Sequence, residues 1–100
     1  MTRKVILRPA AERDLRAIID YTFKRWGAEQ AGDYAETIGA AIIRIAQHPE
    51  IGPERSVIAS GLRKLNVGSH AIYYYYDYKT LRVSRILHSK QDAIRTPFDQ

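Results

Sequence analysis

The stretch LRKLNVGSHAIYYYYDYKTLRVSRIL, residues 62–87, decides the fold. It divides into three runs, Leu62 to Val67, Ala71 to Tyr76 and Leu81 to Leu87, each rich in the β-branched or aromatic residues that suit a pleated, half-buried surface. Gly68-Ser69 and Asp77 to Thr80 separate them, and breaks that short return consecutive strands antiparallel. Val57-Ile58, ahead of Ser60-Gly61, reads as one more short strand, so three or four strands are expected in this half. Tyr73 to Tyr76 must alternate faces in a strand. One pair therefore packs inward, and the other is left for stacking on bases, docking a partner or plain surface exposure.

Toward the N-terminus the period changes. Val5 to Leu7 is a short apolar run ending at Pro9 and suits a strand. Beyond it, Leu15, Ile18, Ile19, Thr22, Phe23 and Trp26 follow the spacing of one helical face, with Glu12 and Asp14 early and Lys24 and Arg25 late, as the helix dipole favours. Gly27 breaks that helix. The rhythm resumes at Ala28 and runs through Ala31, Tyr34, Ala35, Ile38, Ala41, Ile42 and Ile45 to His48-Pro49, with a loop from Pro49 to Pro53. Two helices joined at Gly27 form a hairpin. The expected architecture is α+β: one domain over 1–100, with an N-terminal strand and a two-helix hairpin packed on a three- or four-stranded, mainly antiparallel sheet, the N-terminal strand at one edge.

Composition narrows the function classes. The chain has 100 residues, 45% hydrophobic and 27% charged, which is ordinary for a globular domain and too apolar for a disordered one. It contains no cysteine, which excludes disulfides and cysteine-based zinc sites. No run approaches the roughly 18 apolar residues of a membrane span, and the first residues lack the pattern of a secretory signal, so the cytoplasm is the expected compartment. Sixteen Lys and Arg against eleven Asp and Glu give +5, which points to an anionic partner, nucleic acid or an acidic protein segment.

Residues able to do chemistry are few. A metal-free ribonuclease needs a base, an acid and cations around the phosphate, and the candidates for those roles are His70, His88, Lys90, Arg63, Arg85 and the tyrosines. His70 opens one strand and His88 closes the next, so antiparallel pairing can bring them together. A histidine at a strand end is also commonly a surface or hydrogen-bonding residue. No paired metal-ligand spacing, phosphate-cradling glycine loop or serine elbow is present, so no metal and no cofactor are expected.

One ordered set is more specific. Tyr21-Thr22, Trp26-Gly27, Gln30-Ala31 and Tyr34, then His48-Pro49 and Gly52, then Gly61, Arg63, Gly68-Ser69-His70 and Ile72-Tyr73-Tyr74, and finally Arg85-Ile86-Leu87-His88 with Asp92 resemble the ParE-type toxins of the RelE/ParE superfamily over nearly the whole chain. The resemblance implies the toxin of a type II toxin–antitoxin pair, inhibiting DNA gyrase and neutralised by a ParD-like antitoxin whose C-terminal segment wraps it. It reaches operator DNA through that antitoxin and has no role at a membrane. The RelE branch instead cuts mRNA on the ribosome. Here Lys90 stands where an arginine is common, and AIRTPFDQ after Asp92 has no terminal tyrosine, which leaves the nuclease set incomplete and favours the ParE branch. A non-toxic, antitoxin-binding co-regulator is the remaining alternative.

The resemblance also implies site residues. Arg63, His70, Arg85, His88 and Asp92 are expected near one end of the sheet, with Arg63, Arg85, Lys90 and Asp92 as gyrase or anion contacts and His88 and Asp92 holding one another and the last strand in place. Antitoxin contact is expected on the helical hairpin around Leu15, Ile19, Tyr34 and Ile38, and on the sheet edge, where an acidic disordered segment can order as it binds.

Overall fold

The computed structural model describes residues 2–100. Strand β1 (Lys4–Leu7) leads into helix α1 (Pro9–Trp26), whose proline occupies the first turn, where no backbone N–H is needed. Helix α2 (Ala28–Gln47) follows after one residue, Gly27. That residue has φ +97°, a region costly for any side chain. Its N–H closes α1 on the Phe23 carbonyl while its own carbonyl accepts the Ala31 N–H to open α2. A single glycine thus reverses the chain. Pro49–Ile51 forms a short 3-10 turn, and strands β2 (Arg63–Val67), β3 (His70–Tyr76) and β4 (Thr80–His88) complete the sheet.

The strand order is β1-β4-β3-β2. The three C-terminal strands form an antiparallel meander, and β1 joins the β4 edge in parallel, with Lys4 opposite Thr80 and Leu7 opposite Val83. This is the expected α+β arrangement. Val57-Ile58 departs from expectation. The segment turns instead of pairing, with Ile58 and Ala59 both donating to the Arg55 carbonyl, and Glu54 opposite Arg63 is its one β-bridge. Val57 is left exposed, and Ile58 and Ala59 lie on the sheet instead of extending it.

The two faces of the sheet carry separate cores. On one, Ile72, Tyr74, Leu81, Val83 and Ile86 meet Ile18, Ile38, Ile42 and Ile45 of the hairpin. On the other, Leu62, Ala71, Tyr73, Tyr75 and Leu87 lie under Ile58, Ala59, Ala93 and Phe98. Tyr73 and Tyr75, the pair with a free face in prospect, are 5% and 4% exposed, so neither is open to bases or partners. The C-terminal tail covers them, and the Phe98 ring lies 4.9 Å from that of Tyr73.

A bulge in β4 sets which residues face the hairpin. Tyr73 pairs with Arg85 but Tyr74 with Val83, so Ser84 is an extra residue without a partner. The inserted residue shifts the two-residue alternation, and Leu81, Val83 and Ile86 all reach the same core. Among the described residues no helix is long and apolar enough to cross a membrane.

Candidate functional site

A groove of about 690 Å³ opens where the C-terminal half of α1 and the N-terminal half of α2 overhang the end of the sheet. Tyr21 and Trp26 form its outer lip and are 61% and 59% exposed, while Ile18 lies at its base. Arg25 and Asp33 supply charge on the walls, and His70 and His88 line the sheet end. Exposed aromatic rings bury large area on contact, and a phenol or indole keeps a polar end for water.

Antiparallel pairing places His70 directly opposite His88, so the sequence reading that these two strand ends meet holds. Their rings lie edge to face, 5.3 Å between centroids. Tyr34 reaches down from α2, its hydroxyl 2.6 Å from His70 Nδ1, 3.3 Å from the Val67 carbonyl and 3.2 Å from the Ser69 N–H, from which it accepts. Burial, reinforced by the neighbouring His88, holds the His70 imidazole below its ordinary pKa and therefore neutral at pH 7. Burial likewise pushes the Tyr34 phenol up, against the opposing effect of the Ser69 N–H.

The turn under Tyr34 requires glycine twice over. Gly68 has φ +55°, and a Cβ there would meet the Tyr34 ring and hydroxyl at 2.7 Å. The β2–β3 turn is therefore pressed flat against α2.

The remaining sequence candidates do not gather here. Arg63 pairs opposite Tyr74, four residues along β2 from the His70 end, and its guanidinium donates to the Gly52 and Glu50 carbonyls and pairs with Glu54. It therefore lies toward the other end of the sheet, contrary to the expected cluster. Arg85 is gripped by Asp14 through two hydrogen bonds of 2.7 and 2.9 Å. His88 and Asp92 do not hold one another. His88 Nδ1 accepts from the Lys90 N–H, and Asp92 caps the last 3-10 turn through the Ile94 N–H. Lys90 and Asp92 are exposed in the turn beyond β4.

Nor do the four hairpin candidates form one patch. Ile38 is fully buried in the core, and Leu15 packs against that core. Ile19 faces a shallow crevice with Phe23, Gly32 and Ala35, while Tyr34 faces the main groove. A 20-residue helix packed on a sheet sends its most regular apolar positions inward, so the periodicity that singled out Ile38 marks the core. Sequence reasoning missed Tyr21, Arg25, Trp26 and Asp33 as lining residues. Their signal was the break at Gly27, which brings the end of α1 beside the start of α2.

A base poised to take a proton, with cations around it, is not what this arrangement provides. The nitrogens of His70 and His88 closest to hydrogen-bond partners are already engaged, Arg85 is neutralised, and among the described residues Arg25 is the one Lys or Arg lining the groove. Among the described residues no three histidine or carboxylate side chains are grouped to hold a metal ion.

A family model described as the ParE toxin of the type II toxin–antitoxin system parDE matches residues 5–93. Toxin ParE1 of Mycobacterium tuberculosis is 40% identical over 96 residues, covering 95% of this chain and 98% of its own length. Toxin ParE1 of Caulobacter vibrioides is 37% identical over 83 residues, 83% of this chain and 85% of its own. Among solved structures, a chain of the chromosomal ParDE system from P. aeruginosa matches with a TM-score of 0.74 at 21% identity, over 87% of this chain and 96% of that one. A chain of the RelBE2 toxin–antitoxin complex from Mycobacterium tuberculosis matches with a TM-score of 0.62 at 18% identity, over 88% and 99%. Identities that low speak for the fold alone.

Proposed function

The chain belongs to the ParE toxin family of type II toxin–antitoxin systems, and from that premise we propose that it inhibits DNA gyrase without catalysing a reaction and is neutralised by a ParD-like antitoxin. The observation that carries the non-catalytic reading is the engagement of the histidines. Tyr34 and the Lys90 N–H occupy Nδ1 of His70 and His88, and the arginines a nuclease would need are spent at Asp14 and Glu54. The groove between the helices is the seat we assign to the antitoxin's amphipathic segment. Tyr34 is retained from the expected set of Leu15, Ile19, Tyr34 and Ile38, Tyr21 and Trp26 take the place of the other three, and Arg25 offers a partner for an acidic side chain. Lys90 and Asp92 remain available for target contact.

The decisive experiment is supercoiling by purified gyrase with and without the protein, alongside controlled expression without antitoxin. Inhibited supercoiling with filamenting, DNA-damaged cells is the expected result. Cleaved transcripts with undamaged DNA would move the reading to a RelE-like ribosome-dependent ribonuclease, and harmless expression would leave a co-regulator that binds its antitoxin alone.

A further inference from the structure

The +5 charge of this chain is unevenly spread. The helical hairpin, residues 9–47, carries five Lys and Arg against six Asp and Glu, so the strands, turns and tail hold the other eleven cations against five carboxylates. An acidic segment seated between the helices leaves that basic half without a partner.

Part of the charge lies along one rim of the sheet. Val5 and Leu7 of β1 pack into the hairpin core, as do Leu81 and Val83 of β4. Alternation then sends Lys4, Ile6 and Arg8 to the opposite face, beside Thr80, Arg82 and Ser84. Arg8 keeps the extended backbone, with φ −66° and ψ 155°. The tail and the loop carrying Ile58 cover the β3 side of this face, and no residue of β1 belongs to the core beneath them. Lys4 and Arg8 stand about 13 Å apart at the rise of a strand. Lys79, whose carbonyl receives the Lys4 N–H, extends the row at the turn. Among the described residues none of these three cations has a carboxylate partner, while Arg82 between them pairs with Asp77.

A second observation points to a ligand here. Arg8 Nε and Ser84 Oγ are both buried without a hydrogen-bond partner, and Ser84 is 0% exposed. The register makes them neighbours, since Leu7 is opposite Val83 and the Arg8 N–H meets the Val83 carbonyl. The guanidinium N–H must donate and the hydroxyl can, and such groups are costly to leave unpaired. An oxyanion supplies what both lack.

We propose that Lys4, Arg8 and Lys79 form a phosphate-contact strip for the backbone of duplex DNA, anchored at the Arg8–Ser84 pair. Such a row holds the backbone without reading bases. A duplex fits better than a single strand, because Tyr73 and Tyr75, the aromatic rings of this face, are covered and offer unpaired bases nothing to stack on. The strip stands apart from the gyrase reading, since it needs only this chain and DNA.

The test is fluorescence anisotropy of a labelled mixed-sequence duplex with the isolated chain, at about 50 and about 200 mM salt. Three phosphate contacts predict a roughly fortyfold loss of affinity across that interval. Lys4→Gln/Arg8→Gln leaves one contact and should bind more weakly at the lower salt, losing only about three- to fourfold across the interval. Arg16→Gln/Lys24→Gln removes the same charge from α1 and should keep the steep dependence. Ser84→Ala changes no charge and should bind roughly three- to tenfold more weakly at the lower salt, with the salt slope and the urea midpoint kept. Single-stranded RNA of equal length should bind less tightly than the duplex. Equal losses in the strip and α1 variants, unaltered binding by Ser84→Ala, or tighter binding of the RNA overturns the strip.

Discussion

Asp14 of α1 holds Arg85 of β4 with both carboxylate oxygens, at 2.7 and 2.9 Å, and one of those oxygens also accepts the Ile86 N–H at 2.9 Å. The position explains the double duty. β1 ends at Leu7, and its last bond to the sheet is the Arg8 N–H on the Val83 carbonyl, so β4 beyond Val83 has no strand on that side. The carboxylate supplies the acceptor that a longer β1 would have offered, and the guanidinium balances its charge.

Replacing Asp14 by Ala therefore leaves a mostly buried cation and an orphaned backbone donor together. We expect a loss of about 2–4 kcal/mol in unfolding free energy by urea denaturation, below the ~3–5 for breaking a fully buried ion pair at one partner because this pair keeps some exposure. Arg85→Ala should cost less, because Ile86 keeps its acceptor. Equal losses in the two variants would show that the backbone bond contributes nothing.

Tyr74 is buried, and its hydroxyl donates to the Pro49 carbonyl at 2.6 Å while accepting the Gly52 N–H at 3.0 Å. Tyr74→Phe keeps the ring and strands both groups of the loop after α2, at a cost of about 1–3 kcal/mol. Unfolding midpoints measure the loss. Amide exchange at Gly52 should show the loop loosening before the rest of the chain.

Phe98, itself half-buried, packs on Tyr73, and the hydrogen bonds of the tail from Ala93 onward stay within residues 92–96. Side-chain packing alone thus holds it to the sheet. Phe98→Ala should cost roughly 1–2 kcal/mol, less than the ~3–5 of a fully buried ring, and should raise binding of a hydrophobic dye as Tyr73 and Tyr75 become accessible. Unchanged dye binding would mean that the loop carrying Ile58 covers the face unaided.

Two groups lower stability on acidification, each in its own pH window. His70 is held below its ordinary pKa, so the unfolded chain takes up its proton first, and stability falls as pH drops below about 6.5. Asp77 is lowered to about 2, mainly by the backbone N–H groups of Lys79 and Thr80 with help from Arg82. Its contribution is therefore present above the ordinary value of 3.8 and is lost as pH falls from there toward 2. A pH series of urea midpoints should show two separate declines, with His70→Asn removing the upper one and Asp77→Asn the lower.

Much of the fold was legible because it is written in periods. The helical spacing around Ile18 and Ile42, the break at Gly27 and the short turns at Gly68 and Asp77 are local signals, and local signals survive without a structure. The site was less so. Asp14 and Arg85 are 71 residues apart, and nothing in their surroundings advertises the pair. The bulge at Ser84 hides in an apparently regular strand, so the side reached by Ile86 could not be inferred by alternation. The tail AIRTPFDQ has no period, and its cover over Tyr73 arises from a single aromatic contact. His70 facing His88 was inferable, because antiparallel register follows from the length of the connection.

The parallel seam between β1 and β4 sets when this protein can come into being. Thr80 is synthesised 76 residues after its partner Lys4, so β1 has no strand to pair with until the hairpin and the first two strands of the meander have followed it. The helical hairpin emerges with three of the sheet's four strands still unmade, and the carboxylate of Asp14 waits 71 residues for Arg85. A chain broken off before β4 therefore leaves β1 unpaired and the hairpin without its floor. In a chain of a toxin family, the order of the strands thus means that no fragment ending before β4 contains the completed sheet.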